Sequence, residues 1–488
     1  QMAHKLSSPE VALQVMDLIE LPGPVETPKE GTVIHKAEYG AGDRWADVTA
    51  AATAVAASGQ PIVASNSLAG DPVPGVVKSL RIVFSKDGER TAVELGEGKE
   101  LVLEGVVAGP QYPRQVTLLR VLGDLGQKNA LPVVLKAAES DAVDIRHAAI
   151  VVLGGLGDEQ AVPVLLKAAA DGALAARQSL IDLQGDGVDA TIAEALAKAQ
   201  GSQRLVLLQL AGDRAIASLV PVLMKAADDA DPQVVKTAIA ALGATAGPNE
   251  LSWLIARLIG SDSADLVAAV KDALKTALPR MPDRDAAAAT LLAAMPNASV
   301  AAQVHLLDLL GVLGGNRALA GVASAVSNGS DEIQDAATRV LGEWMSPDVA
   351  PVLLDLAKTG PAKYQVRCLR GYIRAFRQLG IPDADKMAMA AKAFDAATRD
   401  EERSLALEAL NRIRDPKALE LLVPHLRNPA LKDAAAKAAV AVAERTVASH
   451  PAVVADAMTK VLAADPDAET AGKARRWLTE AKGRLGSN

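Results

Sequence analysis

One unit recurs along most of this chain, and it limits the fold to a stacked array. From about Pro113 to Leu485 the pattern is a helix closing on Leu-Gly, a short polar turn and a second helix. The stretch from Val121 to Gly126, with Leu122-Gly123 at its centre, returns 31 residues later as Val152 to Gly157 around Leu153-Gly154. Further copies are marked by Leu242-Gly243, Leu310-Gly311 and Leu341-Gly342, the last again 31 residues after its predecessor. A fixed period of this length means helix pairs that cannot bury their apolar faces alone and do so against their neighbours. The expected fold class is mainly α: a right-handed α-solenoid of about twelve helix pairs over residues 109–488. A small, mostly antiparallel β domain over 32–108 is expected to precede it, with a short helix and linker over 1–31.

Composition narrows the partners. The chain has 488 residues, 50% apolar but only 2% aromatic, so its apolar mass is Ala, Leu and Val. Few aromatics argue against stacking platforms for sugars or single-stranded nucleic acid. Net charge is −8. Residues 1–108 hold 9 Lys and Arg against 15 Asp and Glu, and the rest hold 42 against 44. A near-neutral array has no global field for a phosphate backbone, so nucleic acid is not an expected partner. No run reaches the ~20 apolar residues of a membrane span. The single cysteine, Cys368, excludes an intrachain disulfide. The sequence opens on Gln1 rather than Met. We therefore expect an upstream segment, either a cleaved signal peptide or more protein, and a periplasmic or secreted location in a bacterium.

Within the first hundred residues the apolar period changes from 3.6 to 2. Ser7-Ser8-Pro9-Glu10 opens a helix running to about Leu21. Val33 to Tyr39 reads as a strand, Ala46 to Ala57 as a helix capped by Asp47 or Thr49. Ser79 to Phe84 alternates apolar and polar, and Asp87-Gly88 predicts a hairpin leading into Thr91 to Leu95. Glu100 to Leu103 follows as a further strand.

Two resemblances rest on these residues. Glu38-Tyr39-Gly40, Asp47-Val48-Thr49, Asn66 to Gly70 and Asp71 to Lys78 run in order, followed by the Asp-Gly hairpin. Over about 75 residues this resembles the small β-rich domain at the C-terminus of a mitochondrial DnaJ-type protein. Similar domains occur in secreted bacterial multidomain proteins, often beside sugar-active or HEAT modules. That resemblance implies a fold and a neighbourhood, with no catalytic residues to carry over. The repeat units resemble HEAT repeats, especially the short kind of phycobilin-lyase-like proteins, and Asp231-Pro232 through Gly243 is the nearest match.

Residues able to carry chemistry are sparse. The six histidines are neither followed by Glu nor paired at helical spacing, which sets aside a HEAT-type di-iron hydroxylase. His147 and His305 sit in apolar helices and read as structural. Cys368 lies between Arg367 and Arg370, yet far from any histidine, and reads as packing. Asp71, with Asp43 or Asp47, is a weak calcium candidate in a loop that also reads as a plain turn. Trp253, Trp344 and Trp477 read as core. The glycines from Gly123 to Gly126 and from Gly311 to Gly315 read as repeat turns. No catalytic, cofactor-binding or transition-metal residue is expected.

The sharpest surface feature is a set of four arginines. Arg367, Arg370, Arg374 and Arg377 fall on one helical face. They would grip an acidic protein or a sulfated or carboxylated polymer with guanidinium forks. The competing reading pairs them with acids of adjacent units: Asp331, Glu332 and Asp335 before, Glu401, Glu402 and Glu408 after. The functional expectation is a non-enzymatic protein–protein interaction scaffold with no cofactor. The alternatives are a non-catalytic part of a secreted bacterial carbohydrate-processing protein and, third, a HEAT-like lyase or glycosylase.

Overall fold

A computed structural model describes residues 9–22, 31–41, 44–68, 70, 72–73, 75–87, 89–106, 112–171 and 173–486. The calcium candidate Asp71 lies outside them, as does Asp43. The chain forms two compact units, residues 1–245 and 246–488. It is mainly α, and the described residues near its start form a four-stranded antiparallel sheet and a separate two-stranded one.

The first unit begins with helix Pro9–Asp17, which lies against helix Pro113–Leu125 and buries Ala12 fully. Among the described residues six strands follow: β1 Thr32–Ala41, β2 Arg44–Asp47, β3 Ile62–Val63, β4 Ser79–Lys86, β5 Glu89–Gly96 and β6 Glu100–Leu101. The main sheet has the order β2-β1-β4-β5, antiparallel throughout, and β3 pairs with β6 separately. The expected hairpin is present: Lys86 pairs with Glu89, and Asp87 takes the left-handed φ of 51° that a two-residue turn requires. Ile34, Ala37 and Tyr39 of β1, with a register shift after Ile34, and Leu80 and Ile82 of β4 are buried and pack with Ala52 and Ala56 of helix Thr49–Ala57. That helix starts later than expected because Ala46 and Asp47 belong to β2. The N-cap position is Val48, without a side-chain cap, and Asp47 Oδ1 instead accepts from Thr49 N at 2.9 Å and Thr49 Oγ1 at 2.6 Å just before the helix.

The rest of the first unit is helix pairs. The first helices of successive pairs are Pro113–Leu125, Val143–Leu156, Leu174–Asp182, Gly201–Asp213 and Pro232–Thr245. In the second unit the corresponding helices are Ala264–Ala277, Val300–Leu313, Asp331–Glu343, Ala362–Gln378, Asp400–Glu408 and Lys432–Thr446. Two of them begin at a serine hydroxyl cap. Ser263 accepts from Leu266 N and Ser299 from Ala302 N.

The Leu-Gly marker does something other than turn the chain. Gly123, Gly154 and Gly311, and Gly212 of Ala211-Gly212 at the corresponding place in its repeat, all lie inside the last turns of their helices. Each faces the first helix of the next pair. A Cβ on Gly123 would come 3.1 Å from Val152 Cγ2, one on Gly212 2.8 Å from Ala241 Cα, and one on Gly311 2.7 Å from Val340 Cγ1. In each case the partner stands two residues before the next marker glycine. In the shortened third pair the contact is Gly154 against Ser179, whose buried hydroxyl donates to the Ile150 carbonyl at 2.8 Å. Gly342 and Gly371 meet directly, a Cβ on the latter lying 3.2 Å from the former's Cα. The turning is left to the glycines that follow: Gly126, Gly314 and Gly315 have φ of 63°, 67° and 88°.

The second unit ends on helix Ala468–Gly486, which packs on Pro451–Ala463. Only Thr470, Ala471, Ala474, Trp477 and Ala481 are buried, a single face, while Lys473, Arg475 and Arg476 are exposed. This is the geometry of a terminal cap.

Two outcomes follow from this packing. Gly212→Ala should lower stability by about 1–3 kcal/mol, since the new methyl meets backbone that cannot swing aside. Gly155→Ala, also helical but with nothing within 4 Å, should raise it by up to about 1 kcal/mol. Chemical denaturation of both variants measures the difference. Deleting residues 471–488 bares Val454, Ala457, Met458 and Val461, now buried, and should turn the chain into an aggregating species by light scattering. A monodisperse truncation of unchanged stability would show that this helix is no cap.

A candidate partner-binding face on the arginine helix

Helix Ala362–Gln378 carries the four arginines on one side and Tyr364, Cys368, Tyr372 and Phe376 on the buried side. Successive first helices lie next to each other, so the arginine side looks toward Asp331–Glu343 on one flank and Asp400–Glu408 on the other.

Three of the four guanidiniums are engaged there. Arg367 Nη1 reaches Asp335 Oδ1 at 2.8 Å, with the Asp335 carbonyl and Thr338 Oγ1 each at 3.1 Å. Beside it Lys363 pairs with Asp331 at 3.1 Å, and the Tyr364 hydroxyl donates to the Asp331 carbonyl at 3.0 Å. Arg370 turns the other way, to Glu402, with Nη2 2.8 Å from Oε1. Arg399 grips the same carboxylate, Nε to Oε2 at 2.8 Å and Nη2 to Oε1 at 2.6 Å. Glu402 is 1% exposed, and the hydrogen bond from Arg399 leads the effects that hold its carboxyl below the usual range. Arg374 makes no ion pair among the described residues. Its Nη2 donates to the Trp344 carbonyl at 2.6 Å and Nη1 to Gln378 Oε1 at 3.2 Å, while its buried Nε has no partner. Burial lowers its pKa. Arg377 is exposed.

Arg374 shares its role with other basic residues. Lys128 Nζ donates to the Leu156 and Gly157 carbonyls at 2.8 and 2.9 Å, and Arg214 Nη1 to those of Leu180, Ile181 and Leu183 at 2.9–3.0 Å. Each cation closes the C-terminal end of a first helix from a neighbouring repeat, where carbonyls lack partners and the dipole is negative. Scattered Lys and Arg in the sequence gave no sign of this.

A second charge cluster links three consecutive first helices. Lys271 Nζ sits 2.6 Å from Asp308 Oδ2 and 3.2 Å from His305 Nδ1, and Arg339 Nη2 lies 3.0 Å from Asp308 Oδ1. Burial first, then the Lys271 charge, lowers the His305 pKa.

The remaining candidates are packing residues. Cys368 is buried, and burial pushes its thiol up to about 11 against the opposing pull of Arg367. Trp344 and Trp477 are buried, whereas Trp253 is part-exposed beneath Arg257, at 4.7 Å. Among the described residues, no three His, Cys, Asp or Glu come together as a possible metal site. No helix among them is long and apolar enough to cross a membrane.

Residues 101–183 match the family model for HEAT repeats, a span that takes in the first two helix pairs and the start of the third. No curated protein matches the sequence. Solved structures similar to the chain include the karyopherin Kap121p bound to the extreme C-terminus of the protein phosphatase Cdc14p. That match has 11% identity and a TM-score of 0.40 over 78% of this chain and 48% of the other. Kap121p bound to the SUMO protease Ulp1p gives 12% identity, a TM-score of 0.40 and the same coverage. The chain thus spans about half the length of the karyopherins it matches.

The His305 cluster sets a pH dependence. A histidine whose folded pKa lies below its unfolded value of about 6.5 binds more protons when unfolded, so its contribution to stability is lost as pH falls through that value. The thermal midpoint should fall between about pH 7 and pH 5.5, and His305→Gln should make that decline shallower. Parallel melting curves at several pH values provide the check, and an unchanged slope in the variant would remove His305 from the account.

Proposed function

We propose that the chain is a non-enzymatic scaffold whose helix-pair array, residues 109–488, presents its repeats to a protein partner. Residues 1–31 are a short helix and linker, and residues 32–108 form a β-rich accessory module, in keeping with their resemblance to the small domain of DnaJ-type proteins. The short HEAT type is proposed for the array as a whole. The observation that carries this reading is the seating of successive first helices on one another through glycine. Repeats joined this way form an extended surface rather than an enclosed cleft. The side chains most able to do chemistry support it: the Cys368 thiol is buried, and Glu402 is held by two arginines. We place Arg367, Arg370 and Arg374 in an ion and carbonyl ladder between repeats. Arg377 is then the arginine of the four available to an acidic protein or polymer.

The test is crosslinking of the tagged full chain in its native cells, followed by mass spectrometry. The expected result is a protein partner recovered in stoichiometric amount, with its crosslinks on residues 109–488. Turnover of a small substrate by the purified chain, with no such partner, would overturn the scaffold.

A further inference from the structure

The side of helix Ala362–Gln378 away from the arginines opens on a groove of about 600 Å³. Its floor holds the Tyr372 ring, set edge-on to Phe376 at 5.8 Å. Tyr372 is 2% exposed, yet its hydroxyl makes no hydrogen bond among the described residues. Nor is that hydroxyl sealed: among the described residues the fully buried side-chain atoms without a partner are Arg374 Nε and Arg403 Nε. Burial alone pushes the phenol up to about 12, so the group remains a neutral donor at physiological pH. The hydroxyl is thus a neutral donor open to the groove, where a ligand able to accept from it takes the place of water.

The walls say what such a ligand is. Leu354, Ile381 and Met389 are part-exposed and line the groove, and Pro347, Pro351 and Pro382 stiffen its edges. Methionine adapts to side chains of differing shape. Four charges stand on the rim: Asp355, Lys358, Asp385 and Lys392. They balance, and none makes an ion pair or side-chain hydrogen bond among the described residues. A polyanion or a polycation would meet two like charges here, whereas a segment with apolar side chains and a neutral backbone meets none.

We infer that this groove docks a short apolar segment of a protein partner, seated with a backbone carbonyl on the Tyr372 hydroxyl. The inference rests on the scaffold reading and gives it a location: the partner engages the face opposite the arginines.

The experiment selects binders to the full chain from a phage-displayed library of random dodecapeptides. The enriched peptides are then measured on the wild type, Tyr372→Phe and Met389→Glu. The expected peptides share an apolar core. Tyr372→Phe, which deletes a hydroxyl with no internal partner and so leaves the fold intact, should weaken them about three- to tenfold, the worth of one neutral hydrogen bond. Met389→Glu should abolish binding while the thermal midpoint stays near that of the wild type. Peptides that bind both variants as tightly as the wild type would overturn the groove and leave the scaffold reading standing. A library that yields no binder would also overturn it, since the scaffold is judged separately by the crosslinking. Concentration-dependent dimers lost in Met389→Glu would assign the groove to a second copy of the chain instead.

Discussion

The structure depends on how closely one first helix can approach the next. Where a marker glycine faces Val152, Ala241 or Val340, its missing Cβ sets that distance. Backbone-to-side-chain contact of this kind leaves no room for a methyl group, and protein interiors at native density do not yield it cheaply. The Ala-, Leu- and Val-rich composition suits the same end. Small and branched side chains fill the thin space between close helices, where aromatic rings would hold them apart.

Electrostatics completes what the glycines begin. The cations at the ends of Val143–Leu156, Leu174–Asp182 and Asp331–Glu343 satisfy carbonyls that helices leave open. Lys128, Arg214 and Arg374 come from three different repeats and from different places in the repeat, but they meet the same chemical need. The array is near neutral because its Lys and Arg are matched in number by Asp and Glu, and several of these charges pair between neighbouring repeats. The arginine helix is the clearest case, with one set of contacts toward Asp335 and the other toward Glu402.

The period, the class and the β-rich start were legible because they rest on local signals: the spacing of Leu-Gly, alternation in β4, and Asp-Gly at the hairpin. The role of the glycines was not. A glycine near a helix end reads as a turn in one dimension, and only the neighbouring repeat reveals it as a contact surface. Strands β2 and β3 are too short to show a period, so Ala46 and Asp47 were read as helix. The arginine face was visible at helical spacing, and Asp335 and Glu402 were among the acids named for it. That Arg374 would choose the Trp344 carbonyl over a carboxylate depends on where a helix stops, to within a residue. The groove at Tyr372 was invisible because it needs the loop at Ile381 and Pro382 beside a helix some thirty positions earlier.

Helix Ala362–Gln378 is held by two kinds of cohesion, and they answer differently to the solvent. Contacts such as Gly311 on Val340 are steric and apolar and do not respond to dissolved ions. The links of Arg367 to Asp335 and of Arg370 to Glu402 are charged and part-exposed, within reach of a Debye length that shrinks to ~8 Å at physiological salt. Rising ionic strength therefore loosens the charged pairings of this helix first, while the close contacts of Gly311 on Val340 and of Gly371 on Gly342 hold their spacing.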